Sequence, residues 1–363
     1  MKNNLLLVFL IIFSLCLLDI QNLKAQSDTS LPDLIPYRKG DKWGFCNQKK
    51  EIIIQCKFDW ASLFSKGLAN VKLNNKYGFI DKEGKEVIPL KYDEIGFFSE
   101  GFAKVRIDKK CGFIDKEDKE IIPFKYDSVG NFGEGLAAVS FNGKWGFIDI
   151  QGKEVVPLKY DKVIDFHEGL AGILLNGKYG FVDKGGKEVV PLEYDDIWYF
   201  NERFAAVKLN KKYGFINKEG KVVIPCIYDF ALVFREGFTS VKLNDKWGFI
   251  NKDGKEVIPF IYDFALFFSE GLACVRSINY KYGFVDKEGK EVIPLKYDIG
   301  GDFSEGLVKV KSNNIWGFID KEGKEVIPLK YDNASNFHEG LVYVYLNKKW
   351  GYINKNGTEY WEE

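Results

Sequence analysis

The sequence predicts an all-β protein made of tandem units of about 34 residues. Each unit reads as three antiparallel strands, and the units stack in an open elongated or superhelical array, with a closed propeller-like ring as the alternative. Three observations predict this. A Gly preceded by an aromatic in every unit but one, where Cys111 stands, returns at Gly44, Gly78, Gly112, Gly146, Gly180, Gly214, Gly248, Gly283, Gly317 and Gly351, always 34 residues apart except for one step of 35. Turn signals recur at the same offsets in every unit. No window keeps a helical period of 3.6 residues without meeting Gly or Pro. A side chain that every unit carries is most simply one that every unit needs in order to fold.

Along the chain, the first 25 residues read as a cleaved secretory leader: Lys2 is the basic start, Leu5 to Leu18 the apolar stretch, and Leu23-Lys24-Ala25 the cleavage site before Gln26. That stretch is too short to span a bilayer comfortably. Leu15 before Cys16 argues against a lipid-anchored cysteine. The mature chain is therefore expected to be exported, to the periplasm, the cell surface or the medium, with no membrane span after the leader is removed. Residues 26–33 form a short N-terminal segment, and residues 34–363 form one continuous array. Leu34 to Asp41 reads as a degenerate opening strand whose Pro36 discourages edge pairing, and Thr358 to Glu363 as a truncated, acidic final unit acting as a cap.

Within a unit, Ala103-Lys104-Val105-Arg106-Ile107 alternates and reads as a half-buried strand. A tight hairpin follows, marked by Asn142-Gly143 and Asn176-Gly177. The strand bearing the aromatic-Gly pair leads to a turn opened by Asp81 and closed by Gly84, the pattern of a type I turn ending in a left-handed residue. Where that Gly is replaced, at Lys50 and Asp118, the side chain must accept positive φ. The strand Val87-Ile88-Pro89-Leu90 is apolar on both faces and is expected to be covered on both sides, with Pro89 at a bend or an unpaired edge. About ten residues then connect to the next unit.

Composition excludes several classes. Lys plus Arg equals Asp plus Glu at 52 each, interspersed rather than clustered, so the basic stripe needed for a nucleic-acid backbone is absent. Five cysteines remain after the leader, an odd number that argues against a disulfide framework. Cys111 stands where other units carry Trp or Tyr, and Cys56 and Cys226 stand where they carry Leu or Phe, so they read as small packed hydrophobes. No C-x-x-C pair suggests a metal site. The Asp-Lys-Glu-Gly-Lys-Glu turn puts cations where a calcium loop wants oxygen. No cofactor is expected.

The units Lys144-Trp145-Gly146-Phe147-Ile148-Asp149 and Lys246-Trp247-Gly248-Phe249-Ile250-Asn251 continue into Gly-Lys-Glu-Val-(Val/Ile)-Pro, then Tyr-Asp, then Phe-x-Glu-Gly-Leu. They resemble bacterial WG repeats, also called KWG repeats, from Leu34 to Trp361. The resemblance implies a β-repeat protein of the exported or envelope-associated kind and brings no catalytic motif. This chain departs from the pattern with Tyr at positions 77, 179, 213 and 282 and Cys at 111.

Paired carboxylates such as Asp93 and Glu100 can serve glycoside hydrolysis. An active site, however, needs one unusual environment rather than many equal copies. The expectation is therefore a non-enzymatic scaffold that binds an envelope protein or a cell-surface glycan; the alternatives are a polysaccharide-acting hydrolase or lyase, and a purely structural envelope protein. The Trp residues 43, 145, 247, 316 and 350 share one repeat position and read as a core ladder. Candidate binding residues are those that break the pattern: Trp198 and Tyr199, with Arg203 where other units keep Gly, and Trp60. An exposed Trp-Tyr-Arg cluster has the composition of an interface hot spot. Tyr280 is the residue inserted in the 35-residue step.

Overall fold

A computed structural model describes residues 31–362, so the leader reading lies outside the described residues. The array is a closed ring rather than an open stack. Its strands form ten sheets, nine of four strands and one of three among the described residues. These are the blades of a β-propeller. Blade 1 takes residues 35–58, and blades 2 to 10 begin at residues 60, 94, 128, 162, 196, 230, 264, 299 and 333.

Each unit has four strands, not three, because the expected connection contains one. In blade 2 the strands are Trp60–Ser65, Leu68–Leu73, Lys76–Ile80 and Glu86–Tyr92. The first strand is as short as Glu94–Ile95 in blade 3, and pairs antiparallel with the second. A fourth strand per unit lets each sheet be wide enough to pack face to face on both neighbours, and radial packing of such sheets closes a ring.

The turn readings hold. Asn142 and Gly143 have φ of 50° and 74°, the two positive values a type I′ hairpin requires. Gly84 has φ of 80°, its N–H donates to Asp81 O, and the Asp81 carboxylate accepts from the N–H groups of Glu83 and Lys85. Lys50 and Asp118 adopt the same left-handed conformation, at 65° and 63°.

The aromatic-Gly pair and the Pro belong together. Opposite Gly78 the fourth strand bulges, so that Tyr77 faces Tyr92 while Phe79 faces Ile88. A Cβ on Gly78 would lie 2.4 Å from Ile88 O and 2.8 Å from Pro89 C. Only Gly allows that approach, and Pro89 sits in the bulge, where no ladder N–H is missed.

One burial expectation is reversed by the ring and one holds. The fourth strand is the outer edge: in Glu86–Tyr92 the buried side chains are Ile88 and Tyr92, while Glu86, Pro89 and Lys91 are exposed. In the second strand, Ala103–Ile107 is half buried as expected, with Ala103 and Val105 buried and Lys104 and Arg106 part-buried, whereas its counterpart Leu136–Ser140 in blade 4 is buried throughout. Lys104 is accordingly an inward, part-buried residue and not a surface one. Between blades lie separate apolar clusters, such as Phe147, Val156, Phe166, Ala171 and Val182 between blades 4 and 5. The five cysteines are free. Cys46, Cys111 and Cys274 are buried, and burial pushes the Cys46 thiol up to about 12.

The ring is closed by pairing between the first and last strands among the described residues. Ile35–Lys39, the opening strand, pairs antiparallel with Lys42–Cys46 on one side and parallel with Trp361–Glu362 on the other. Pro36 is thus in an interior strand, opposite Phe45. It is tolerated because the parallel pairing engages only Arg38 and Lys39.

Candidate functional site

The residues that recur in every unit are occupied in holding blades together. In blades 4 to 9 the Glu of the Glu-Gly turn (Glu134, Glu168, Glu202, Glu236, Glu270, Glu305) accepts a backbone N–H of the next blade at 2.9 to 3.1 Å. Each also accepts a Lys from that blade's Asp-x-x-Gly turn, for example Lys184 on Glu134 at 3.0 Å. The Asp after the recurring Tyr takes the Lys that precedes the aromatic-Gly pair, as in Lys144 on Asp161 at 2.6 Å. Its other oxygen accepts the N–H of Asn176 at 2.9 Å. The Lys144 ammonium holds the Asp161 carboxyl below its ordinary range. The repeated carboxylates are structural ligands, and no group of three His, Cys, Asp or Glu among the described residues could hold a metal ion.

Departures from the repeat gather in blades 6 to 8. Between the middle and the end of the first strand, the other blades carry Ser62-Leu63, Gly96-Phe97, Gly130-Asn131, Ile164-Asp165, Gly301-Asp302 and Ser335-Asn336, each with at least one small or polar residue. Blades 6, 7 and 8 carry Trp198-Tyr199, Leu232-Val233 and Leu266-Phe267. At the start of the first strand, Phe230 and Phe264 interleave with the aromatic of the third strand. The result is a continuous row Tyr213, Phe230, Trp247, Phe264, Tyr282, with ring centroids 5.1, 5.7, 5.6 and 6.3 Å apart. Arg276 lies over Phe264, Tyr282 and Tyr280, at 5.3 Å from the last, and Tyr280 is 71% exposed with φ of 60°. On the outer edge of the same blades, Ile227 and Ile261 stand exposed where other units carry Lys or Glu, and Val222 where most carry Glu. One sector is therefore apolar from its inner strand to its outer edge.

The four residues singled out from sequence do not form one cluster. Trp198 is part-buried and packs on Phe230 at 6.4 Å, which joins it to the aromatic row. Tyr199 stacks on His167 of blade 5 at 4.5 Å, and burial lowers the His167 pKa. Arg203 lies at the turn end of the first strand, exposed, with its N–H on Glu168. Trp60 is in blade 2, edge-on to Tyr77 at 6.4 Å. Sequence reasoning missed Phe230 and Phe264; Phe at that position in two successive units and nowhere else was the available signal. The expected Trp ladder is local, since Trp247 is buried in the row and Trp43 packs against Tyr343 and Tyr352.

Flanking the apolar sector, the inner strands carry part-buried charge. Burial raises the Asp165 pKa, and Lys104, two blades away, partly opposes the shift. A Cβ on Gly130 of blade 4 would come within 3.1 Å of Asp165 Oδ1, so the first strands of blades 4 and 5 lie close here. In blade 9, burial lowers the Lys309 pKa while Asp302 opposes it, and Lys309 Nζ donates to Ala334 O at 3.0 Å.

A family model for the WG containing repeat matches nine consecutive segments, from residues 43–77 through 316–350. Among solved structures, the fold is similar to the crystal structure of the eukaryotic initiation factor, at TM-score 0.51 and 11% identity, over 81% of this chain and 94% of that one. BamB from Moraxella catarrhalis gives TM-score 0.41 at 11% identity, over 83% and 97% of the two chains. PorZ, a bacterial surface component of the type-IX secretion system of Porphyromonas gingivalis, gives 0.30 at 13% identity, over 91% and 52%. At 11% identity the first of these likenesses bears on fold alone. No curated protein matches this chain.

Proposed function

We propose that this chain, which belongs to the WG containing repeat family, is an exported, non-enzymatic scaffold that binds an envelope protein or a cell-surface glycan through blades 6 to 8. The observation that carries the reading is the convergence of departures on that one sector. In a symmetric ring, residues needed for folding recur in all blades, so residues confined to three blades are free to serve something else. The aromatic row ends at Tyr282 beside part-buried Arg276 and exposed Tyr280, which together have the ring and guanidinium chemistry of a binding anchor. Exposed Ile227 and Ile261 extend the apolar surface to the outer edge. Against a polysaccharide hydrolase or lyase stands the engagement of the recurring Asp and Glu in contacts between blades.

The test is photo-crosslinking in the native envelope, with the reactive group at Tyr280 and, as control, at Lys125 on the exposed outer strand of blade 3. Capture of one protein or glycan from Tyr280 alone is the expected result. Equal capture from both positions, or none, overturns the assignment to this sector.

A further inference from the structure

The side chain just before the Glu-Gly turn links several blades to the next, and at one junction it is a part-buried group that titrates. Ser99, Ser269 and Ser304 donate Oγ–H to Phe132 O, Phe303 O and Phe337 O of the following blade at 2.7 to 2.8 Å, and Asn201 donates Nδ2–H to Phe234 O at 2.7 Å. None of these donors changes charge between pH 4 and 8. Two units place His there instead. His338 is exposed, whereas His167 of blade 5 is part-buried and lies on Tyr199 of blade 6, with ring centroids 4.5 Å apart and planes at 36°. The His167 imidazole makes no hydrogen bond among the described residues, so it offers blade 6 a ring contact where the other blades offer a bond to Phe O. The charges near it come from blades 4, 5 and 6. Glu134 accepts Gly169 N–H and Lys184, and Glu168 accepts Arg203 N–H and Lys218. Each carboxylate already has its ammonium, so a proton on His167 adds an unmatched positive charge. Burial lowers the imidazole pKa more than Glu134 and Glu168 raise it.

We propose that the junction between blades 5 and 6 is a proton-operated latch: neutral His167 holds Tyr199 by the ring contact, and on taking up one proton the imidazole turns to water and releases that segment. The sign follows from linkage. A His whose folded pKa lies below its ordinary value of about 6.5 stabilises the closed junction while it is neutral. As pH falls below 6.5 the open form takes the proton first and is favoured, and the effect is complete below the folded value. The release is confined to one junction, because the Ser and Asn links keep their bonds over the same range. Tyr199 is joined by the chain to Trp198, which packs on Phe230 of the aromatic row. Acid is therefore expected to loosen one flank of blades 6 to 8. Its effect on a ligand rests on the binding proposed for that sector, whereas the latch itself needs no ligand.

The test follows the proton and the segment separately in the mature chain. The sequence has two histidines, so His338→Gln leaves one imidazole to titrate by NMR, and its midpoint is expected below about 6.5. Hydrogen exchange of residues 196–201 is corrected for the intrinsic effect of pH and referred to the equivalent residues 230–235 of blade 7. The ratio is expected to rise between about pH 7.5 and pH 5, by up to about tenfold for each pH unit by which the midpoint lies below 6.5. His167→Asn installs the residue that blade 6 carries at this place, so it is expected to fold, to donate to Phe200 O and to keep the ratio flat. Its Tm relative to the parent chain is expected to rise over the same interval. A midpoint at or above 6.5, in which the imidazolium holds Tyr199 instead of releasing it, overturns the proposal. So does a ratio that stays flat in the parent chain or rises equally in His167→Asn.

Discussion

The junction between blades 7 and 8 and the one between blades 10 and 1 do the same job with different parts. At the ordinary junction, Glu236 accepts from Gly271 N–H and Lys287, and Trp247 lies between Phe230 and Phe264. At the closing junction the strands that meet are far apart in sequence, and a parallel pairing of two residues joins them. Arg38 Nε donates to Trp350 O at 2.8 Å, Gly40 N–H donates to Glu362 O at 3.1 Å, and Tyr360 is buried with Ile35, Tyr37 and Leu341. An ordinary junction shares its hold among contacts that recur around the ring. The closing junction concentrates it in side chains present once.

That concentration is the sharpest way to break the comparison. Tyr360→Ala empties a fully buried ring at the closure and is expected to cost about 3–5 kcal/mol in urea unfolding. Opening should also appear as a larger radius of gyration in solution scattering before global unfolding. An ordinary junction truncated to similar depth is expected to lose stability without that expansion, because the chain still links its blades.

The glycine of the aromatic-Gly pair sharpens the contrast at a second level. A Cβ on Gly180 would meet Val190 O at 2.5 Å, so Gly180→Ala must move a backbone strand, an overpacking cost of about 1–3 kcal/mol or more. In blade 10 the same glycine faces a side chain: a Cβ on Gly351 would lie 2.3 Å from the Trp361 ring, which sits where other blades place the fourth strand. Gly351→Ala is expected to displace that indole and weaken closure, and a shift in Trp fluorescence toward that of a solvated indole checks it. Gly180→Ala should leave the spectrum unchanged in the folded state.

Much of the ordinary junction could be read from sequence, and little of the closing one. Asp81 and Gly84, or Asn142 and Gly143, declare their turns within four residues, because the constraint is a local φ sign. The first strand was hidden because its ladder is backbone to backbone and often two residues long. Gly96, Gly130 and Gly301 also erase the alternation that would mark it. Without it each unit counted three strands and an open stack followed. The Glu of the Glu-Gly turn has the positive φ of a turn residue, but its carboxylate crosses to the next blade, a relation no spacing within one unit expresses. Closure joins Arg38 to Trp361, and the acidic composition of the last residues suggested a cap. In the candidate sector, Trp198 was visible as an oddity. Phe230 and Phe264 were not, since they gain meaning only with Trp247 between them.

A smaller effect is expected where one contact of an ordinary junction is altered and its neighbours remain. Glu236→Gln keeps the shape but removes the charge that receives Gly271 N–H and Lys287. Charge-assisted bonds of this kind contribute about 1.5–3 kcal/mol when buried, and the partial exposure of both partners reduces the expected loss to about 1 kcal/mol. Lys287→Met alone should cost less, and a double-mutant cycle between them measures the coupling.

The smallest expected effect is a pH dependence shared by the ordinary junctions. The carboxyls of Asp59, Asp93, Asp127, Asp161, Asp195, Asp229 and Asp298 are all held below their usual range, first by the hydrogen bond from the Lys before the aromatic-Gly pair. A carboxyl whose pKa is lower folded than unfolded stabilises the fold above the unfolded value, about 3.9, and that contribution is lost as pH falls through the folded value. Stability is therefore expected to be flat in these groups near neutrality and to decline below about pH 4. Lys144→Met removes the partner that lowers Asp161, so its stability deficit against the parent chain should shrink as pH is taken from 6 to 3. A deficit that stays constant over that range would mean the Lys144 stem, packed along the strand, matters and its charge does not.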